Sequence, residues 1–175
     1  MFATQIPTPL GVMWGVADTE RLFGLLYAAN ALYLKSPLRK WLPIERGIKW
    51  VDRDQRPAVL SELVAQLEAY FQGQRQTFEL PFADIGTAFQ QASWRALDAI
   101  PYAHTVSYQQ QAHQIQHPKA VRAVANANRL NPWSIVVPCH RVVGANGQLT
   151  GYAGGLWRKR WLLALERRAL HRDTL

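Results

Sequence analysis

The chain has one cysteine, in Ile135-Val136-Val137-Pro138-Cys139-His140-Arg141-Val142-Val143. A lone cysteine is most often a small buried hydrophobe. Its flanks point elsewhere. An apolar, largely β-branched run over residues 133–137 reads as a strand. Pro138, which lacks an N–H and fixes φ, turns the chain out of it. His140 and Arg141 bring an imidazole and a positive charge, the surroundings that lower a thiol's pKa. The pattern suits a nucleophile at a strand end. At its ordinary pKa of ~8.5 only a few per cent of a thiol is ionised at neutral pH, so the chemistry needs a coupled base. His140 is adjacent, but neighbouring side chains on extended backbone point to opposite faces, which leaves direct contact open.

Elements of two kinds must hold this stretch. Residues 2–27 read as a β-hairpin or meander, with turns at Pro7-Thr8-Pro9-Leu10-Gly11 and Asp18-Thr19-Glu20 and a third strand over 21–27. Residues 28–56 read as loops with a strand near 48–51. Residues 57–71 repeat apolar side chains at helical spacing, from Leu60 through Leu63, Val64 and Leu67 to Tyr70, and Gly73 ends the run. Residues 77–82 form a short strand or extended exit, and a boundary falls near residues 84–86. A helix over 87–100 follows. Ser107 is a fitting N-cap for a short helix over 109–116, and a second helix runs over 119–129, exposing Arg122, Asn126 and Arg129. Two short helices split by a tight break resemble a helix-turn-helix. A loop spans 144–155. The last helix covers 156–170, with Trp161, Leu162, Leu165 and Leu170 inward.

The charge is +8 over 175 residues and is unevenly spread. Residues 1–85 hold nine Lys and Arg against nine Asp and Glu; residues 86–175 hold eleven against three. The half with the cysteine is therefore the half suited to phosphate. One cysteine forms no internal disulfide and suits a reducing compartment. No apolar run approaches the ~20 residues that span a bilayer, and Met1-Phe2-Ala3-Thr4-Gln5 lacks the basic segment of a secretory leader. A cytoplasmic location without membrane association is expected.

The run Pro138-Cys139-His140-Arg141-Val142-Val143, with Gly144-Ala145-Asn146-Gly147 and Thr150-Gly151-Tyr152-Ala153-Gly154-Gly155, resembles the methylated-DNA–protein-cysteine methyltransferase family. The likeness covers residues 89–166; the N-terminal half matches mainly through Thr8-Pro9-Leu10-Gly11. It implies an α/β (α+β) fold, with a ribonuclease-H-like α/β domain over 1–84 and a mostly helical DNA-binding, alkyl-acceptor domain over 85–175. It implies direct repair: an alkyl group leaves O6-alkylguanine, or less readily O4-alkylthymine, in duplex DNA for Cys139, once per molecule.

The resemblance also implies roles for residues. His140 acts on Cys139 through a water and is oriented by Glu166. Asn131 ties the recognition-helix turn to the active-site turn. Arg122 fills the stack vacated by a flipped base, whose extrusion costs a few kcal/mol. Tyr108 crowds the 3′ phosphate and donates to the base, with Gln109 and Ser107 beside it as phosphate contacts. Val142, Tyr152, Ala153 and Gly154 wall the pocket, the Ala153 amide facing O6 and the Cys139 and Val142 carbonyls the exocyclic amine. The partner implied is double-stranded DNA carrying alkylated bases, bound by a monomer with no cofactor. No metal is expected, because the N-terminal cysteines that hold zinc in some relatives are missing. Arg160 and Arg167 stand where relatives have Glu and Gly. The competing reading is a non-catalytic protein that binds the lesion and flags it; such relatives lack the acceptor thiol, which this chain has.

Overall fold

The computed structural model describes residues 1–29 and 47–172. The chain falls into two units, Met1–Ile85 with Pro132–Val136, and Gly86–Asn131 with Val137–Leu175. The architecture is mixed α/β, with a sheet in the first unit and mostly helices in the second.

In the first unit, strands β1 (Phe2–Ile6), β2 (Met13–Ala17) and β3 (Leu22–Tyr27) form an antiparallel meander, and β4 (Lys49–Trp50) joins β1 in parallel, giving the order β3-β2-β1-β4. The turns work as their residue types require. Thr8 accepts from Leu10 N and donates to Gly11 O, and Asp18 Oδ1 accepts from the amides of Glu20 and Arg21. The loop expected across 28–56 lies, at 30–46, outside the described residues. Helix α1 (Ala58–Phe71) follows Pro57, its N-cap, and buries Leu60, Leu63, Leu67 and Tyr70. It lies so close to the sheet that a Cβ on Gly15 would stand 3.0 Å from Leu63 and 3.1 Å from Leu60, which is why a strand residue there lacks a side chain. Residues 77–82 are an extended exit, carrying a single bridge from Leu22 to Phe82.

The expected strand over 133–137 does not form. Trp133 makes one bridge, to Leu25, and its indole donates to Leu22 O; then the chain turns, with Ile135 at φ 73°. A β-branched residue in the left-handed region is strained. Pairing with β3 uses up the backbone at 132–134, through Leu25 N to Pro132 O and Ser134 N to Leu25 O, and overrides the strand preference of Ile-Val-Val.

In the second unit, helix α2 (Ala88–Asp98) starts after Thr87, whose side chain accepts from Gln90 N while Gln90 reaches back, a capping box. Ser107 caps α3 (Tyr108–Gln114) in the same way, with Gln110 as its partner. Helix α4 (Val121–Arg129) packs on both, and the Trp94 indole donates to Ala127 O. Strands β5 (Val106–Ser107) and β6 (Val142–Val143) pair in parallel. Helix α5 (Leu156–Arg172) buries Lys159, Leu162, Leu163, Glu166 and Ala169. The inward face is thus rotated from the expected one: Leu170 is exposed at 36%, and Trp161 and Leu165 are only part-buried. The helix is turned so that a lysine and a glutamate lie on its buried stripe. Among the described residues no helix is long and apolar enough to cross a membrane.

Candidate active site

Pro138, at φ −84° and ψ 62°, is the last residue before a 3₁₀ turn, Cys139–Arg141, which leads directly into β6. Cys139 N donates to Val137 O and Arg141 N to Pro138 O. A tight turn aims successive side chains in different directions, and here the three diverge. Cys139 lines a cavity, while His140 and Arg141 enter the interior and meet α5.

That interior holds a charged cluster. His140 Nε2 lies 2.8 Å from Glu166 Oε1, and both side chains are fully buried. Arg141 forms a fork on the same carboxylate, Nε to Oε2 at 3.1 Å and Nη2 to Oε1 at 3.0 Å, and its Nη1 donates to Ile100 O. Ala103 N supplies a further bond to Oε2. Burial pushes the Glu166 carboxyl up, but His140 and Arg141 outweigh it and the group stays ionised well below the usual carboxylate range. Burial holds His140 below its ordinary value, so the ring is neutral. With Nε2–H donating to the carboxylate, the lone pair sits on Nδ1. Nδ1 is buried and has no hydrogen-bond partner among the described residues. It is a base atom oriented by a carboxylate.

Cys139 is 7% exposed. Burial pushes its thiol up, while a hydrogen bond from Asn131 and the positive charge of Lys159 pull it back. Asn131 also donates to Val137 O at 2.8 Å, so one amide spans the residue after Leu130 and the turn that carries the thiol. Lys159 is a functional candidate that motif reading passes over. It is fully buried, and its ammonium donates to the carbonyls of Val142 (2.5 Å), Thr150 (2.7 Å) and Gly151 (3.4 Å). Burial lowers its pKa to about 8. Apolar spacing does not find it; only once Glu166 is taken as inward does helical spacing put 159, 162, 163 and 169 on the same face.

The cavity is about 450 Å³. Its α4 wall is Ala125, Asn126, Asn128 and Arg129. Gly151, Tyr152 and Ala153 face them, with Tyr108 and Cys139 completing the lining. The Tyr108 hydroxyl donates to Gly151 O at 3.2 Å and Thr150 O at 3.3 Å, and burial raises its pKa. Gly151 sits at φ 45° with the Tyr108 hydroxyl 3.2 Å from where a Cβ would stand; both facts call for glycine.

Other expected site residues lie elsewhere. Val142 and Gly154 are buried behind the lining, their carbonyls taken by Lys159 and by Arg158 (2.7 Å). Arg122 is exposed on α4, away from the cavity wall. Ser107 is engaged in its cap, and Gln109 donates to Pro118 O. No group of three or more His, Cys, Asp or Glu suited to a metal ion occurs among the described residues.

Two family models match the chain: the ribonuclease-like domain of 6-O-methylguanine DNA methyltransferase over residues 1–83 and its DNA binding domain over 88–168. A methylated-DNA–protein-cysteine methyltransferase of Methanosarcina acetivorans is 50% identical over 166 residues, 95% of this chain and 98% of that protein. The constitutive one of Bacillus subtilis is 39% identical over 95% of each. Among solved structures, Mycobacterium tuberculosis OGT in complex with DNA superposes with a TM-score of 0.82 at 38% identity, covering 97% of this chain and 94% of that one.

Proposed function

Because the chain belongs to the 6-O-methylguanine DNA methyltransferase family, acting as a methylated-DNA–protein-cysteine methyltransferase in DNA repair by alkyl transfer, we propose that Cys139 is its acceptor and that each molecule acts once. The substrate is O6-alkylguanine in duplex DNA, with O4-alkylthymine a slower one. The observation that carries this reading is the pairing of a cavity-lining thiol with a neutral His140 whose Nδ1 lone pair is free and whose Nε2 is held by Glu166.

The steps follow from the groups present. The buried thiol is protonated at rest, so His140 Nδ1 takes its proton through a bridging water. Arg141 keeps Glu166 anionic, and Glu166 stabilises the imidazolium that forms. Lys159 and the Asn131 amide stabilise the thiolate. Sulfur attacks the alkyl carbon in line, the carbon–O6 bond breaks, and its electron pair leaves on the guanine. The Tyr108 hydroxyl, whose present bonds are long, is available to donate to the departing base and so to spread its charge. The Ala153 amide faces O6. The thioether product has no leaving group for water to displace, which makes the acceptor single-use. Arg122, exposed on the basic helix, fills the space of the everted base, with Ser107 and Gln109 near the phosphates. All cavity-lining residues come from one unit, so a monomer suffices, and an unoxidised thiol suits the cytoplasm.

Mass spectrometry of the protein after mixing with duplex containing O6-methylguanine tests this directly. The Cys139 peptide gains one methyl in stoichiometric yield, and Cys139→Ala binds the duplex without repairing it. Repaired DNA beside an unmodified Cys139 would overturn the assignment. Arg122→Ala lowers transfer from duplex by roughly ten- to a hundredfold, the worth of a few kcal/mol of flipping, and leaves reaction with free O6-alkylguanine nearly unchanged. Equal losses on both would remove Arg122 from the flipping step.

A further inference from the structure

Asn128 lies on α4, is 5% exposed and lines the cavity that Cys139 lines. Its amide makes a reciprocal pair with that of Gln111, which is fully buried on α3. Asn128 Nδ2 donates to Gln111 Oε1 at 2.7 Å, and Gln111 Nε2 donates to Asn128 Oδ1 at 3.1 Å. The other hydrogen of Gln111 Nε2 goes to Ser93 O at 3.0 Å. A carbonyl can only accept, so Ser93 fixes which end of the Gln111 amide is nitrogen, and the pair then fixes the Asn128 amide as well. An Asn amide has two N–H donors and two acceptor lone pairs. The pair consumes one of each, and the remaining N–H and lone pair have no other side-chain bond among the described residues.

The cavity wall on the α4 side therefore carries an amide that cannot flip. Ala125, Tyr152 and Ala153 around it carry no side-chain amide, and the amide of Asn126 is exposed and held only by the exposed Arg129, whose Nε and Nη2 donate to its Oδ1 at 3.3 and 3.0 Å. A free amide in this place would rotate to suit any occupant; a locked one selects. We infer that Asn128 is a specificity-determining residue, donating its spare N–H to a ring-nitrogen acceptor of the everted purine, and that Gln111 is the positioning residue that holds it. This rests on the alkyl-transfer reading above. Discrimination of this kind is efficient because a base lacking the acceptor leaves a buried N–H unpaired.

The test uses duplexes carrying O6-methylguanine, its 3-deaza analogue or its 7-deaza analogue, with transfer to Cys139 followed by quench and mass spectrometry over a range of protein concentration. Asn128→Leu alone strands Gln111, so the folded reference is the double variant Gln111→Leu/Asn128→Leu, which removes both polar partners. With the natural protein, one of the two deaza analogues reacts about tenfold more slowly than the parent, the effect of one lost hydrogen bond. With the double variant the parent falls to that same rate and the deaza analogue loses nothing more. Gln111→Leu alone gives an intermediate loss, because Asn128 remains but turns freely. Equal rates on all three duplexes with the natural protein, or equal losses on all three in the double variant, would overturn the inference. Failure of the natural protein to alkylate Cys139 on the parent duplex would instead overturn the alkyl-transfer reading itself.

Discussion

The two units bury polar side chains for different reasons. In the first, the buried polar groups among the described residues are Thr4, Gln66 and Ser134, all neutral. Gln66 lies 2% exposed and makes three bonds, donating to Glu79 O and Glu62 Oε1 and accepting from Glu79 N. It substitutes for a backbone partner and asks nothing of the solvent. In the second unit Arg141, Lys159 and Glu166 are buried with their charges, and His140 is buried neutral against Glu166. Buried ions are weak contributors to stability, because desolvation offsets most of the attraction. A fold that keeps three such ions and a neutral imidazole beside the turn that carries a thiol is maintaining a perturbed environment, the mark of a chemical site.

The sharpest way to break this contrast is to remove one polar group from each unit. Glu166→Gln leaves Arg141 as an uncompensated buried charge. The expected loss is about 3–5 kcal/mol of unfolding free energy, measured by denaturant titration, together with near-complete loss of transfer. Gln66→Leu costs about 1–3 kcal/mol for its stranded Glu79 amide and carbonyl, and transfer at a temperature where the protein stays folded is unchanged. Equal stability losses from the two would mean that the charged cluster is packed no differently from an amide.

The same contrast explains what was legible in the sequence. Residues 2–27 and 58–71 of the first unit were readable because they obey local rules: alternation and turn types in β1–β3, apolar spacing in α1. The Cys139–His140 dipeptide and the capping Ser107 were also readable, since motif and cap chemistry are local. The orientation of α5 was not. Counting only apolar residues put Leu170 inward, while the real stripe runs through Lys159 and Glu166, which a hydropathy reading assigns to solvent. The strand expected at 133–137 failed for a related reason. Ile135 is placed at a strained φ by pairing of its neighbours with β3, a long-range effect that no window of residues contains. Arg141 was legible as a charge beside the thiol but not as the second holder of Glu166, because its partner is 25 positions away.

Lys159 gives a smaller and more specific effect. Its pKa is lowered to about 8 by burial, so the ammonium is charged below that pH and loses its charge above it. Lys159→Met removes a cation that favours the Cys139 thiolate and a clamp on the Val142 and Thr150 carbonyls. Alkylation of Cys139 by iodoacetamide at pH 7 slows by roughly tenfold, and the rise of rate with pH moves to higher pH. The two profiles approach each other above about pH 8, where the natural protein loses the charge too. Lys159→Arg keeps the low-pH advantage in part. A uniform slowing at every pH would make Lys159 a clamp and nothing more.

The smallest effect compares one capping side chain from each unit. Asp18 holds the β2–β3 turn by accepting from two backbone amides, and Ser107 holds the start of α3 by accepting from Gln110 N. Ser107→Ala costs about 1 kcal/mol, whereas Ser107→Gly costs only a few tenths, because glycine tolerates the cap position. Asp18→Ala causes a modest loss of stability in the first unit and leaves binding to duplex DNA untouched. Ser107 differs because its hydroxyl hydrogen is still available while its oxygen caps the helix, so the same group can meet a phosphate. If it does, Ala and Gly at 107 weaken duplex binding equally, by gel shift at fixed salt, although they differ in stability. If the binding loss instead follows the stability loss, with Ala worse than Gly, Ser107 acts only by keeping α3 in place, and the phosphate contact assigned to it is wrong.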